Sequence, residues 1–460
     1  MTIPKMKRKL EVNKKKLIVI GGDAAGMTAA SKVRREQPER EIVVFERGSH
    51  TSYSACGMPY YIGGLVESEE NLIARKPEVF RQKQNIDVRI RHEVLKIDTK
   101  DKRVLVKQLD NDKEFWEDWD DLLIATGASP IIPDIENINT DGVFALSTLQ
   151  SGIDVFRFIE EKKPAKAVIV GGGYIGIEMA EAFLERSMEV KLIDMAPQLM
   201  NTLDKDMADL ILEYMVEQGM EVYLEEKLAK FEAHPNGRIK SVVTNKQTID
   251  ADIVILGIGI KPNSEIAANA GIKLGVNNAI KVNKRLETTT PHIWAAGDCA
   301  ESFHLITGKQ THIALGTVAS KHGLVAGINL NGGKAEFTGV LGTAITKFKE
   351  MEISRTGLSE KEAKELGIDF HTETITSVSP AGYYPGSEKI SVKLLIDKAS
   401  RRILGGQIIG FKATAKRIDT IVTAIFSSLT IEDIINLDLA YAPPFSTVWD
   451  PVQIAARKLV

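Results

Sequence analysis

Short apolar runs stopped by glycine turns, each followed by a stretch of helical period, occur twice along the chain. LIVI (17–20) is a run of buried-strand type, turned by Gly21 and Gly22. The alanine-rich segment AAGMTAASKVRR follows, and then a second apolar run, IVVF, ending at Glu46. Such a pattern predicts a strand–helix–strand unit with parallel strands. The same grammar returns at AVIV (167–170), with a glycine turn, the helical IGIEMAEAFLER, and VKLID ending at Asp194. Between the units DDLLIATGASP reads as a strand stopped by a Thr-Gly turn, and ADIVILGIGIKPN matches it in the second unit. Two such units predict two nucleotide domains of common origin. Beyond residue 335 the pattern changes. Runs such as VKLLID (392–397) and ILGGQIIG, then helical AKRIDTIVTAIFSSL, predict an α+β domain without a glycine-rich phosphate loop. The stretch Asn331, Gly332, Gly333 reads as the linker. The expected domains are 16–148 with 263–333, interrupted by 149–262, and then 334–460.

Composition narrows the function classes only a little. The 460 residues fit about three domains of roughly 150 residues. With 43% hydrophobic and 26% charged residues, the chain is globular and disorder is excluded as its main state. Lys and Arg number 59 against 62 Asp and Glu, a net charge of −3, which gives no electrostatic case for nucleic acid. No apolar run reaches the ~18 residues of a membrane span. Residues 1–16 hold seven Lys or Arg and no apolar h-region, so they read as a solvated basic tail rather than a secretory signal. Two cysteines, Cys56 and Cys299, cannot staple so long a chain, and a cytoplasmic, reducing location is expected.

Candidate chemistry sits at the turns. GGDAAG matches a dinucleotide fingerprint at Gly21 and Gly26, but Asp23 holds the place of the second glycine, where backbone approaches a pyrophosphate. A carboxylate there repels a diphosphate unless its side chain turns away. Glu46, at the following strand end, is placed to hydrogen-bond a ribose. GGGYIG matches in full at Gly171, Gly173 and Gly176, and Asp194 stands at the ribose position. Met195, Ala196, Pro197 and Gln198 follow it, with no Arg for a 2′-phosphate, so NADH is expected over NADPH. TTTPHIWAAGDCA reads as a strand ending in Gly297-Asp298. Cys56, in SYSACGMPYY, has Thr51 and Tyr61 five residues to either side, so any thiol chemistry runs on one sulfur. Cys299 reads as a small core residue, and no metal site is expected.

The two dinucleotide units, ATG at 125–127 and the late Gly-Asp together resemble the pyridine nucleotide-disulfide oxidoreductases over residues 15–460. The resemblance implies an α/β architecture, with two Rossmann-like dinucleotide-binding domains for FAD and NAD(P)H and a C-terminal α+β dimerisation domain. It also implies a homodimer whose active sites are shared between subunits. FAD would be met by Gly21, Ala25, Gly26, Glu46, Arg47 and Val94, by Thr126 and Gly127, and by Leu315 and Gly316. Asp298 would hold its ribityl hydroxyls. NAD(P)H would be met by Gly171, Gly173, Tyr174, Ile175 and Gly176, with Asp194 and Gly259.

SxxxCxxPY (Ser52, Cys56, Pro59, Tyr60) resembles single-cysteine members that reduce persulfides or coenzyme A disulfide. A helix N-terminus and an oxidised flavin would favour the Cys56 thiolate. In coenzyme A-disulfide reductases two tyrosines reach the cysteine of the other subunit. Here they would be Tyr383 in PAGYYPG and Tyr441 in LAYAPPF. No histidine lies beyond His371, so a phenol would do the proton work of the histidine base in glutathione-reductase-type members. Thr28, Lys32 and Arg35, at i, i+4, i+7, share a helix face and, with Ser52, match positions that contact the ADP end of coenzyme A. Ala55 stands where some of these reductases have Asn before the cysteine, and Trp449 stands where a basic residue is expected downstream of Tyr441. The expected activity is FAD-dependent, NAD(P)H-driven reduction of coenzyme A disulfide or a related per- or polysulfide through Cys56. An NADH oxidase or peroxidase cycling through a Cys56 sulfenate is the alternative, followed by a flavin redox sensor or electron carrier. No rhodanese-like domain is expected after Val460.

Overall fold

The computed structural model describes residues 15–460, and most of the basic tail lies outside the described residues. Two parallel five-stranded sheets stand side by side. The first runs Ile293–Ala295, Asp121–Ile124, Lys16–Ile20, Glu41–Glu46, Asp87–Ile90 in spatial order. The second runs Val143–Phe144, Ile253–Leu256, Lys166–Val170, Glu189–Ile193, Glu221–Tyr223. The middle strands are covered on both faces, which is why they read as continuous apolar runs: Leu17, Ile18 and Val19 are wholly buried, as are Val168 and Ile169.

The two orders match strand for strand, and each sheet carries a three-stranded antiparallel insertion, 92–118 in one and 228–250 in the other. Only the outermost strands differ in origin. Ile293–Ala295 reaches the first sheet from downstream of the second unit, whereas Val143–Phe144 reaches the second sheet from upstream of it. The second sheet thus takes a strand from the stretch expected in the first domain, ahead of the boundary at 149. An antiparallel ribbon, Ala128–Pro130 with Ile260–Pro262, joins the domains through the segments after their two equivalent strands.

The C-terminal domain is a five-stranded antiparallel sheet, ordered Ala344–Phe348, Met351–Gly357, Ile403–Gly410, Glu388–Asp397, Phe370–Ser379. Its core is closed by Ile418 and Ile421 on one helix, Ile431 and Ile434 on the next, and Val452, Ala455 and Ala456 on the last. This domain grips the second unit. Lys393, 4% exposed, reaches Asp206 at 2.7 Å and Glu360 at 2.6 Å, and Gln407 donates to Asp204 at 2.7 Å. Arg355 donates to the Thr202 carbonyl at 2.6 Å. Lys393 and Asp204, both buried, stand 3.3 Å apart across the two domains, and parting them would strand an unpaired ion. Among the described residues no helix is long and apolar enough to cross a membrane.

Candidate active site

The first turn is built by close approach of backbone. A Cβ on Gly26 would stand 2.0 Å from the Gly21 carbonyl oxygen, so only glycine lets the helix Ala24–Glu36 start where it does. The Gly22 amide donates to Glu46 Oε2 at 2.7 Å and the Gly48 amide to Oε1 at 2.6 Å, leaving the carboxylate's other lone pairs for a ribose. Ala25 is buried, Arg47 is exposed at the strand end, and Val94 is in the core. Thr126 donates to the Asn263 carbonyl at 2.5 Å, and Gly127 follows with φ +68°.

Opposite, Leu315 caps the helix Gly316–Leu330, and Gly297 turns the chain at φ +79° into Asp298. Burial pushes the Asp298 carboxyl up from its ordinary value, and its Oδ1 is buried without a hydrogen-bond partner. His312 Nε2 donates to the Asp298 carbonyl at 2.7 Å, which fixes the turn. An orphaned carboxyl oxygen in front of a glycine turn asks for a hydroxyl-bearing ligand, and the residues present fit FAD. Bound there, FAD would supply a two-electron carrier between a nicotinamide and a thiol.

In the second turn Gly171 has φ +103°, and a Cβ on Gly176 would stand 1.9 Å from the Gly171 carbonyl oxygen. Gly173 caps the helix Tyr174–Glu185, so Tyr174, Ile175 and Gly176 form its first turn. Asp194 Oδ2 accepts from the Gly172 amide at 2.7 Å and Oδ1 from Ala196 at 2.8 Å. Gly259, with φ +111°, accepts from Ile131 at 2.9 Å at the domain ribbon.

Cys56 lies in the short turn Ala55–Gly57 ahead of the helix Met58–Gly63. It is exposed to solvent, yet partial burial of the sulfur, and then the carboxylates of Glu178 and Asp298, push its thiol up from the ordinary value. Burial is the largest cause of that push, ahead of the two carboxylates, and the expected thiolate rests on a bound flavin as well as on the helix N-terminus. Glu178 is itself pushed up by burial, with Thr346 donating to its Oε1 at 2.8 Å and Glu181 adding like charge. Cys299 is fully buried, bonded to Ile124 and Ala296 carbonyls, and out of reach of chemistry.

A cleft of about 370 Å³ opens beside the first turn, lined by Asp23, Thr28, Ser31, Arg35, Ser52, Tyr53, Arg75 and Phe80 among others. It gathers Thr28, Arg35 and Ser52 as expected but leaves out Lys32, which pairs with Glu36. Arg75 and Phe80 have no local signal in the sequence. They arrive because Ala74 donates to the Ser52 carbonyl at 2.8 Å and the Arg75 guanidinium stacks on Phe80 at 5.2 Å. Tyr383 is 77% exposed and hydrogen-bonds Tyr441, which is 46% exposed. The structure thus brings the two phenols to each other, on a surface shared with exposed Phe445, Val448 and Trp449. Arg457 stacks on Trp449 at 4.4 Å, so a cation stands beside the residue that occupies the expected basic position. Among the described residues no group of three or more His, Cys, Asp or Glu is arranged to hold a metal.

Two dinucleotide folds, one accessible thiol between them and a third domain with an exposed aromatic face define a flavoprotein-type nicotinamide oxidoreductase. The chain belongs to the pyridine nucleotide-disulphide oxidoreductase family, whose model matches residues 15–323, with the family's dimerisation domain matching 343–451. It is 40% identical over 449 residues, 97% of this chain and all of the relative, to the NAD(P)H sulfur oxidoreductase (CoA-dependent) of Pyrococcus furiosus. An NADH oxidase of Methanocaldococcus jannaschii is 37% identical over 442 residues, 96% of this chain and 97% of that one. The solved structure of reduced Bacillus anthracis CoADR-RHD superposes with a TM-score of 0.93 at 36% identity, covering 97% of this chain and 80% of that one.

Proposed function

We propose that the protein is a homodimeric, NADH-driven reductase of coenzyme A disulfide or a related per- or polysulfide, working in a reducing cytoplasm. One observation carries the reading: a single accessible thiol, Cys56, lies within electrostatic reach of Asp298 at the flavin turn and four residues from Ser52 in a cleft with two arginines. In this reading Arg35 and Arg75 hold the phosphates of the coenzyme, with Thr28 and Ser52 as hydrogen-bond partners. Asp194 holds the nicotinamide cofactor by a free 2′-hydroxyl. Cys56 accepts one half of the substrate as a mixed disulfide while the other half leaves as a thiol. Two electrons from NADH then return Cys56 to its reduced form and release the second thiol. NADH, one proton and a disulfide thus give NAD⁺ and two thiols.

The exposed face around Tyr383 and Tyr441 is the dimer surface, and the phenols serve the partner's Cys56 by hydrogen-bonding the sulfur and protonating the leaving thiol. Removing both hydroxyls (Tyr383→Phe with Tyr441→Phe) should slow disulfide turnover by about 10²–10⁴ and leave flavin reduction unchanged. Mixing that variant with Cys56→Ser under subunit exchange should restore activity, since one heterodimer site holds an intact thiol and intact phenols. Exchange confirmed by mass with no return of activity would show that the sites are not shared. The NADH oxidase named among the relatives favours a second reading, oxygen reduction through a Cys56 sulfenate. Intact mass of the purified protein separates the two: an adduct of coenzyme A mass on Cys56 supports the disulfide reading, a sulfenylated Cys56 the second.

A further inference from the structure

In each dinucleotide unit a strap of chain after the second strand closes on the glycine turn, and it does so in the same way twice. The Ser52 amide donates to the Gly22 carbonyl at 3.1 Å, and the Met200 amide to the Gly172 carbonyl at 2.9 Å. Ser52 and Met200 both hold left-handed backbone, at φ +48° and +46°, which a residue with a side chain keeps only where its surroundings fix it. A Cβ on Gly22 would stand 2.9 Å from Thr51 Cγ2, and one on Gly172 would stand 2.3 Å from Leu199 Cδ2. The straps part in what holds them. The first is tied locally, by the Tyr53 amide donating to Asp23 Oδ1 at 3.2 Å, and Cys56 follows four residues after Ser52. Four residues after Met200 stands Asp204, and the second strap is tied to the C-terminal domain. The Asp204 amide donates to Gln407 Oε1 at 2.9 Å. Buried Arg355 donates through Nη1 to the Thr202 carbonyl at 2.6 Å, and through Nη2 to the Gly357 carbonyl and, at 3.1 Å, to Glu362 Oε2. The Tyr174 phenol lies within hydrogen-bonding reach of the Thr202 side chain, so strap, helix start and C-terminal domain meet at one residue.

We propose that Arg355 is a positioning residue for NADH, holding the strap 199–204 where it orients the second turn for the pyrophosphate of the dinucleotide. This rests on the assignment of NADH to the second unit. The Gly172 amide is taken by Asp194 and its carbonyl by Met200, so the peptide leading into Gly173 and the helix N-terminus keeps one orientation while the strap stays in place. Without the guanidinium the Thr202 carbonyl loses a charged donor, left-handed Met200 relaxes, and its amide leaves Gly172. The amides that face a pyrophosphate are then aligned for only part of the time, and apparent affinity falls by that fraction. Bound NADH selects the aligned turn, so the loss appears in binding and not in the rate of the hydride step. The first turn has its own strap and is untouched.

Arg355→Lys and Thr202→Val, in the flavin-loaded protein and beside Asp194→Ala, test this. Stopped-flow flavin reduction over a range of NADH concentrations separates the dissociation constant from the limiting rate. Arg355→Lys keeps a cation for Glu362 but cannot span the Thr202 and Gly357 carbonyls together. NADH should therefore bind about tenfold more weakly, with the limiting rate within about twofold of the unaltered protein. Thr202→Val removes only the hydroxyl beside Tyr174 and should weaken NADH by about threefold. Arg355→Lys combined with Tyr174→Phe should lose less than the two losses added, because both act through Thr202. Disulfide reduction by pre-reduced enzyme should be unchanged in Arg355→Lys and in Thr202→Val. A folded, flavin-loaded Arg355→Lys with an unaltered dissociation constant for NADH overturns the proposal, and so does a loss confined to the limiting rate. If melting shows that Arg355→Lys does not fold, Thr202→Val decides, and unchanged affinity for NADH there overturns it. Unchanged affinity in Asp194→Ala overturns instead the assignment of NADH to the second unit.

Discussion

In the first turn the Gly22 amide donates to Glu46 at 2.7 Å, and in the second the Gly172 amide donates to Asp194 at the same distance. The Gly21 amide reaches the Phe45 carbonyl at 2.8 Å, as Gly171 reaches Ile193. Ala125 reaches Ile20 at 2.8 Å, as Gly257 reaches Val170. The turns are thus the same backbone object made twice, and their glycines are set by how closely a helix start must approach a strand end. The units part where that closure makes no demand. Asp23 stands against Gly173, and an exposed Arg47 follows one acid where an exposed Met195 follows the other. After the first unit's second strand the chain runs into the Cys56 loop. After the second's it runs into a segment held by Arg355, Gln407 and Lys393 of the C-terminal domain. Scaffold is repeated, while chemistry is placed in the segments the scaffold leaves free.

The sharpest break between the units is chemical. Cys56→Ser should abolish disulfide reduction, by about a thousandfold or more, since a lost nucleophile has no substitute. Reduction of the bound flavin by NADH should persist in stopped-flow traces, because the second unit and the first turn are untouched. Loss of both reactions together would mean that the thiol is part of the hydride path.

Next in size are the paired substitutions Gly26→Ala and Gly176→Ala. Each places a methyl within about 2 Å of a carbonyl oxygen, so each should cost about 1–3 kcal/mol by forcing helix from strand. Their functional losses should separate: Gly26→Ala loses flavin, while Gly176→Ala keeps it and loses affinity for NADH. Thermal melts with flavin fluorescence read both. Equal flavin loss in the two variants would make the units one cooperative site rather than two.

These steric demands explain what is legible in the sequence. Turn glycines, the acids Glu46 and Asp194, and the Gly297-Asp298 turn are consequences of local backbone geometry, so spacing reveals them. The strand Val143–Phe144 escapes because two residues have no periodicity to read. Helical spacing groups Lys32 with Thr28 and Arg35, but spacing names a face and not its neighbour. The Lys32 side chain lies against Gly327 of the helix Gly316–Leu330 and pairs with Glu36. Arg75 and Phe80 enter the cleft through a loop contact, and Glu178 reaches the field of Cys56 from over a hundred residues further on. No local pattern carries such long-range approaches.

Asp194→Ala comes third. Removing the carboxylate strips a partner from the Gly172 and Ala196 amides and, in the proposed reading, from the ribose. Affinity for NADH should fall by about tenfold to a hundredfold, as for a lost hydrogen bond to a charged group. NADPH should lose less, since a 2′-phosphate no longer faces a carboxylate. Stopped-flow reduction with both cofactors gives the ratio, and an unchanged ratio would take Asp194 away from the ribose.

Gly173→Ala should have the smallest effect, and it bears most directly on what the two turns share. Gly173 has an ordinary negative φ of −84°, and a methyl added to it would meet nothing within 4 Å, so neither strain nor clash opposes the change. Stability should therefore move by less than about 0.5 kcal/mol, in contrast to Gly176 three residues on. The open space before Gly173 is instead where a pyrophosphate would approach, and a methyl there holds it off the helix N-terminus. Affinity for NADH should drop severalfold while melting temperature and flavin content stay fixed. A fall in stability comparable to that of Gly176→Ala would mean that glycine serves the fold at this place. Asp23 would then be a structural exception in the first turn rather than a residue tolerated because the backbone makes no demand there.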